Sequence, residues 1–177
     1  MPCILGNDFL NHFTVDIDGR SGRLRLFVAG TRVEDILGSN PHIGDKLQVK
    51  FGEGDMLWTK ASVHGVVVRS QIDTGWGYAT PNTALLNALG IQPRDNALVL
   101  RRAPDSLSGG ARQFRSIDLP DLSFANIRQG VFVASLEEIN LEAIESQSLP
   151  YLQIGWDILR SHRLIIDRKH KDVTLVP

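Results

Sequence analysis

Cysteine is nearly absent: Cys3 is the one thiol in 177 residues. A single thiol forms no internal disulfide and no thiolate metal centre, so packing alone must hold the fold, as suits a reducing compartment. An excess of one charge is also missing, since 19 Lys and Arg stand against 20 Asp and Glu for a net charge of −1. Without a basic field, and with no Lys/Arg run interleaved with aromatics, nucleic acid is not an expected partner. No apolar run approaches the roughly 18 residues of a membrane span. Nor does a charged-then-apolar leader open the chain. The expectation is a soluble chain, cytoplasmic by default, although its apolar opening Met1-Pro2-Cys3-Ile4-Leu5-Gly6 reads like a cut from something longer.

Several chemistries are excluded the same way. His12, His42, His64, His162 and His170 show no ligand spacing, so they read as surface or turn residues, and no metal or cofactor is expected. There is no Gly-x-Ser-x-Gly elbow for a serine hydrolase. Phe51-Gly52-Glu53-Gly54-Asp55 lacks the Lys-Ser/Thr ending of a phosphate loop and reads as a hairpin turn. Glu137, Glu138, Glu142 and Glu145 read as the wet face of a helix.

What is present is a globular composition, 42% hydrophobic and 22% charged, cut into short strands. Apolar runs bounded by Gly, Pro, Asn or Asp predict strands at Phe13–Ile17, Leu24–Val28, Lys46–Phe51, Val63–Ile72, Ala97–Leu100, Gln113–Leu119, Gly130–Ala134, Leu164–Ile166 and Val173–Val176. Many short strands with frequent turns predict a mainly β, barrel- or sandwich-like fold. Helical pattern is confined to three pieces. In the first, Thr80 caps, Pro81 fills the first turn, Leu85, Leu86 and Leu89 form the apolar face, and Gly90 stops it. Leu136–Ile144 and Trp156–Arg160 are the others.

Two patterns carry more. First, Val66–Ile72 runs into Asp73-Thr74-Gly75, placing one carboxylate on a glycine-bounded loop before the helix that ends in Leu89-Gly90. The chain has one such tripeptide. Second, Leu5-Gly6-Asn7-Asp8-Phe9-Leu10 aligns without a gap on Ile154-Gly155-Trp156-Asp157-Ile158-Leu159. Continuing the alignment sets Val15 on Leu164, Ile17 on Ile166, Asp18 on Asp167, Leu24 on Val173 and Leu26 on Leu175. A glycine turn, short helix and hairpin thus occur twice. Asp8 and Asp157 each follow a Gly by two residues, where helix capping or dipole complementarity is expected of them.

Val66–Gly90 resembles the first catalytic segment of retropepsin-like aspartic proteases, and Leu152–Leu159 with Leu164–Asp167 resembles their second block. The resemblance covers about Ala61 to Val176. It implies a retropepsin-like β-barrel lobe with a few short helices over residues 61–177, a linker and hairpin over 29–60, and a closing block of a preceding or swapped unit over 1–28. The implied activity is that of an aspartic endopeptidase acting on peptide or protein. Asp73 would be one of two carboxylates, Thr74 would brace the loop, and Gly75 would admit a close backbone. Two carboxyls about 3 Å apart share one proton, the ionised one activating water and the protonated one bonding the substrate carbonyl. The partner carboxylate would come from a covalently linked second lobe or from a homodimer.

The family usually continues with Ala and then Ser or Asp, where this chain has Trp76-Gly77. Trp76 is expected either to fill the substrate groove or to serve as a core or interface aromatic. In the first case a catalytically inactive peptide-binding or dimerisation module becomes the alternative. The family's flap, a glycine-tipped hairpin, would fall at Pro104–Phe114, with Gly109-Gly110 near its tip and Phe114 as its aromatic.

Overall fold

A computed structural model of the chain describes residues 5–38, 45–52, 55–92, 98–104, 110–136 and 148–176. The fold is mainly β. Helix α1 (Asn7–Leu10) leads into the hairpin β1 (Phe13–Asp18) and β2 (Arg23–Val28), followed by α2 (Val33–Leu37). The stretch expected as one strand from Lys46 to Phe51 is two, β3 (Asp45–Lys46) and β4 (Lys50–Phe51), which join different sheets.

The run expected as one strand over Val63–Ile72 is the second half of a hairpin, β5 (Leu57–Val63) and β6 (Val66–Ile72). His64 and Gly65 turn it with φ of 46° and 82°. Two consecutive positive φ values give the two-residue turn whose twist matches paired strands, and Gly adopts the second without strain. Next come β7 (Thr80–Pro81) and α3 (Thr83–Ala88). Thr80 and Pro81 therefore do not begin the helix. Asn82 caps it, its side-chain oxygen accepting the Leu85 N–H at 2.9 Å.

The hairpin β8 (Val99–Pro104) and β9 (Ala111–Leu119) follows, then β10 (Leu122–Phe124), β11 (Ile127–Gln129) and β12 (Phe132–Ser135). Beyond Leu136, the helix expected to Ile144 and its glutamates lie outside the described residues, as does His42. The chain closes with β13 (Tyr151–Ile154), α4 (Trp156–Leu159), β14 (Arg163–Asp167) and β15 (Asp172–Val176). His12, His64 and His170 are exposed and His162 half-buried.

Among the described residues three sheets form, ordered β2-β1-β14-β15-β3, β11-β10-β5-β6-β13-β7 with β4 also on β5, and β12-β9-β8. One apolar cluster joins them, with Val15, Val63, Leu85, Leu119, Leu152 and Leu175 among its members. Each such side chain contributes on the order of 1.5–3 kcal/mol by leaving water. On the far face of the first sheet Val33, Ile36 and Leu37 of α2 pack against Ile165 and Val176. No helix among the described residues is long and apolar enough to cross a membrane.

The sequence repeat is also a structural one. Helix α1 and strands β1 and β2 correspond to α4, β14 and β15 at the same offset. Strand β1 pairs antiparallel with β14, Val15 facing Ile166 and Ile17 facing Leu164. Those two pairings are images of one another about a local two-fold axis through the pair Asp16 and Ile165.

Candidate active site

Strand β6 is central in its sheet, flanked by β5 and by the parallel β13. The ladder extends one residue past β6, the Asp73 N–H donating to the Ile154 carbonyl at 3.0 Å. The loop after Asp73 then arches over the end of β13 before β7 pairs with that strand's other edge. Trp156 N–H donates to the Trp76 carbonyl at 2.7 Å, and Asp157 N–H to the Gly77 carbonyl at 3.1 Å. A Cβ at Gly155 would stand 2.7–2.9 Å from backbone atoms of Tyr78 and Trp76, so only glycine fits beneath the arch.

This scaffold fixes the Asp73 carboxylate from both sides. Oδ1 accepts the Gly75 N–H at 2.9 Å and Oδ2 accepts the Gln153 side-chain amide at 2.7 Å. Gln153 is an amide in an otherwise apolar strand, buried between Leu152 and Ile154. That lone amide was the signal that sequence reading passed over. Behind it, the Tyr151 hydroxyl donates to Gln71 Oε1 at 3.1 Å, and burial first, then the nearby Asp73, pushes the phenol's pKa up.

Asp73 and Thr74 line a cavity of about 150 Å³ whose opposite wall is made by the N-terminal unit, including Asn7, Leu10 and Ile17. Arg168 and Asp55 lie at its rim, the guanidinium donating to the Asp55 carbonyl at 3.0 Å and to Asn7 Oδ1 at 3.1 Å. Among the described residues the Thr74 hydroxyl makes no hydrogen bond. Gly75 is open on its outer side, where an added Cβ meets only Asp73 Oδ1. No group of three His, Cys, Asp or Glu among the described residues is placed to hold a metal ion.

Trp76 folds back on its own loop. It is half-buried, its indole N–H donates to Thr80 Oγ1 at 2.8 Å, and the Arg112 guanidinium sits 5.9 Å from its ring centre. Gly77 is exposed beside it. Arg112 belongs to the hairpin β8–β9, whose last described pair is Pro104 with Ala111. Gly110 stands at the start of its returning strand, and Gly109 lies outside the described residues. Phe114 is well below the tip, buried, and its ring lies 4.7 Å from that of Tyr78. It anchors the hairpin base to the Asp73 loop, so it is not placed as a tip aromatic.

Asp8 and Asp157 lie in the first turns of α1 and α4, where a carboxylate complements the helix dipole, but neither caps its helix. Gly6 and Gly155 occupy the cap positions and no side-chain cap bond forms. Burial pushes the Asp157 carboxyl up to about 6, opposed but not cancelled by the nearby N–H groups of Ile158 and Ala79.

Compared with solved structures, the chain is similar to a retropepsin-like aspartic protease from Rickettsia conorii, with a TM-score of 0.54 and 14% identity over 74% of this chain and 89% of that one. The retroviral protease-like domain of Ddi1 from Leishmania major matches at 20% identity over 72% of this chain and 96% of that one, with a TM-score of 0.39. No family model and no curated protein matches the sequence. The fold is retropepsin-like, a curled β half-barrel with short helices.

Proposed function

We propose that this chain is a lobe of an aspartic-type endopeptidase, in which Asp73 supplies one of the two carboxylates that activate water against a peptide bond. The observation that carries the reading is the way Asp73 is presented: a carboxylate held on both oxygens at the end of a central strand, facing an open cleft. Its neighbour Thr74 has a hydroxyl with no partner among the described residues, which suits a loop that meets a second loop of its own kind. In that pair one carboxyl keeps the shared proton and bonds the substrate carbonyl, while the other takes a proton from water. The hydrated carbonyl then collapses with proton transfer to the departing amine, and no cofactor takes part. The hairpin β8–β9, whose returning strand Gly110 precedes, closes over the peptide and excludes water.

The catalytically inactive peptide-binding module remains the second reading. It rests on the Trp76-Gly77 departure from the family's small and polar pair, although the Trp76 indole is folded back on Thr80 and does not line the cavity at Asp73. The test is digestion of a peptide library from pH 3 to 7 by the protein in its assembled form, wild type beside Asp73→Asn. Loss of a shared carboxylate removes the general acid–base pair, so cleavage should fall by about 10³-fold or more. Cleavage that survives the substitution, or none by wild type at any pH, sinks the peptidase reading and leaves the binding module.

A further inference from the structure

Two arginines bracket β14, and the chain satisfies them differently. Arg163, at the start of the strand, places two bonds on the Asp16 carboxylate, at 2.8 and 2.9 Å. Parallel N–H groups on one carboxylate are the usual way to hold a guanidinium away from water. Arg168, just past the end of the strand, is covered as fully, its side chain 12% exposed against 16% for Arg163. Its bonds nevertheless go to neutral oxygens, Nη1 to the Asp55 carbonyl at 3.0 Å and Nη2 to Asn7 Oδ1 at 3.1 Å. Among the described residues its one carboxylate neighbour is Asp55, whose Oδ1 stands 3.8 Å away, beyond hydrogen-bond reach. The other oxygen of that carboxylate accepts the Asn11 amide. The Phe51 ring covers the guanidinium at 5.5 Å, and burial pushes its pKa down.

This loosely compensated charge opens on the cleft. Arg168 lines the same cavity as Asp73 and Thr74, with Leu10, Ile17, Leu57 and Ile72 among its apolar walls. A space of about 150 Å³ suits one side chain, its stem against those walls and its head at the guanidinium. Asp55 also lines the cavity and carries the opposite sign, but its side chain is 49% exposed. A charge still in water gains less from a new partner than one already removed from it, so the sign of the cavity is set by Arg168.

We propose that Arg168 makes this cavity a subsite for a carboxylate of the substrate, so that the cleft selects acidic peptides. The proposal rests on reading Asp73 as one of a peptidase pair. The carboxylate belongs to a glutamate or aspartate side chain or to the free end of the peptide. It gives Arg168 the hydrogen-bonded anion that Asp16 gives Arg163. An amide of the same shape gives the guanidinium only a further neutral acceptor, so glutamine is the informative competitor.

The test uses peptides in which one glutamate is walked along an otherwise neutral sequence, beside sets with Gln or Lys in its place, each with a free and an amidated C-terminus. Cleavage by the protein in its assembled form is measured, and binding of the same peptides to Asp73→Asn is followed by calorimetry. At one position Glu should exceed Gln by about 100-fold in both readouts, the scale of removing one partner from a buried charge pair. If the advantage instead follows the free C-terminus, the carboxylate is that of the peptide end. Arg168→Met should abolish the preference. Because Arg168 also ties Asn7 to the end of β14, a second variant keeps that tie: Asn7→Asp gives the guanidinium an internal carboxylate and should reduce the preference to under about 10-fold. Equal use of Glu and Gln with no effect of the free end, a preference for Lys, or a preference that survives both substitutions overturns the proposal. Selective binding to Asp73→Asn without cleavage by wild type keeps the subsite and sinks the peptidase, whereas unselective cleavage does the reverse. Neither binding nor cleavage overturns both.

Discussion

Two carboxylates near the same arch are treated in opposite ways. Asp73 faces the cleft with a donor on each oxygen, whereas Asp157 lies below the arch with Oδ1 buried and unpartnered. Sequence context alone singled out Asp73, because Asp-Thr-Gly is a local pattern. The state of Asp157 was not legible, since its burial comes from the loop of residues 76–79, which reaches it only after folding. With its folded pKa near 6 against 3.8 for the free side chain, the native state holds a proton between about pH 4 and 6 that the unfolded chain has released. A raised carboxyl pKa of this kind makes stability fall as pH rises through that window. At about 1.4 kcal/mol per pKa unit the loss from pH 4 to pH 7 is on the order of 3 kcal/mol. Asp157→Asn should remove that part of the slope, which urea unfolding at the two pH values will show as a smaller difference for the variant. Equal slopes in wild type and variant would mean that Asp157 titrates normally.

At the scale of elements, the strand-loop-helix block was readable because its signals are contiguous: an apolar run, a glycine-bounded turn, and a helix ending in Leu89-Gly90. The closing unit was readable because it occurs twice. What escaped were features defined by distant partners. Strand β5, Leu57–Val63, mixes polar Thr59, Lys60 and Ser62 among its apolar residues, so only its last residue falls in the expected strand Val63–Ile72, and β10 and β11 are three residues each. The true cap of α3 escaped for the same reason, since Asn82 does its work across the sheet. Its Oδ1 accepts the N–H of Leu85 at 2.9 Å and of Tyr151 at 3.0 Å, while Nδ2 donates to the Leu149 carbonyl at 2.8 Å. Asn82 therefore locks the start of α3 to the start of β13, the strand that holds Gln153 against Asp73. Asn82→Ala orphans two buried N–H groups and should cost about 3 kcal/mol in denaturant unfolding. Asn82→Asp keeps the acceptor and loses only the bond to Leu149, so it should cost clearly less. A loss under about 0.5 kcal/mol for the alanine variant, typical of a neutral surface change, would show that the three bonds do not act as a lock.

Across the whole molecule the local two-fold axis is obeyed by the backbone and broken at its centre. Ile165, on the axis, is apolar and packs under α2, while its equivalent Asp16 is a fully buried carboxylate. Arg163 grips Asp16 with two bonds, Nε to Oδ1 at 2.8 Å and Nη2 to Oδ2 at 2.9 Å, and Arg25 adds a contact at 2.8 Å. These three residues come from β1, β2 and β14, so the cluster spans the seam between the N-terminal unit and the rest of the chain. A buried pair of this kind adds little over an apolar contact, but removing one member leaves a charge without a partner. Asp16→Ala strands Arg163 at the seam and should cost about 3–5 kcal/mol by urea unfolding. The double substitution Asp16→Ile with Arg163→Met makes the axis apolar, as at Ile165, and should recover most of that loss. If the double variant instead stays as unstable as the single one, the cluster contributes more than mutual neutralisation. If Asp16→Ala is harmless, the apolar strand pairing alone holds the N-terminal unit in place.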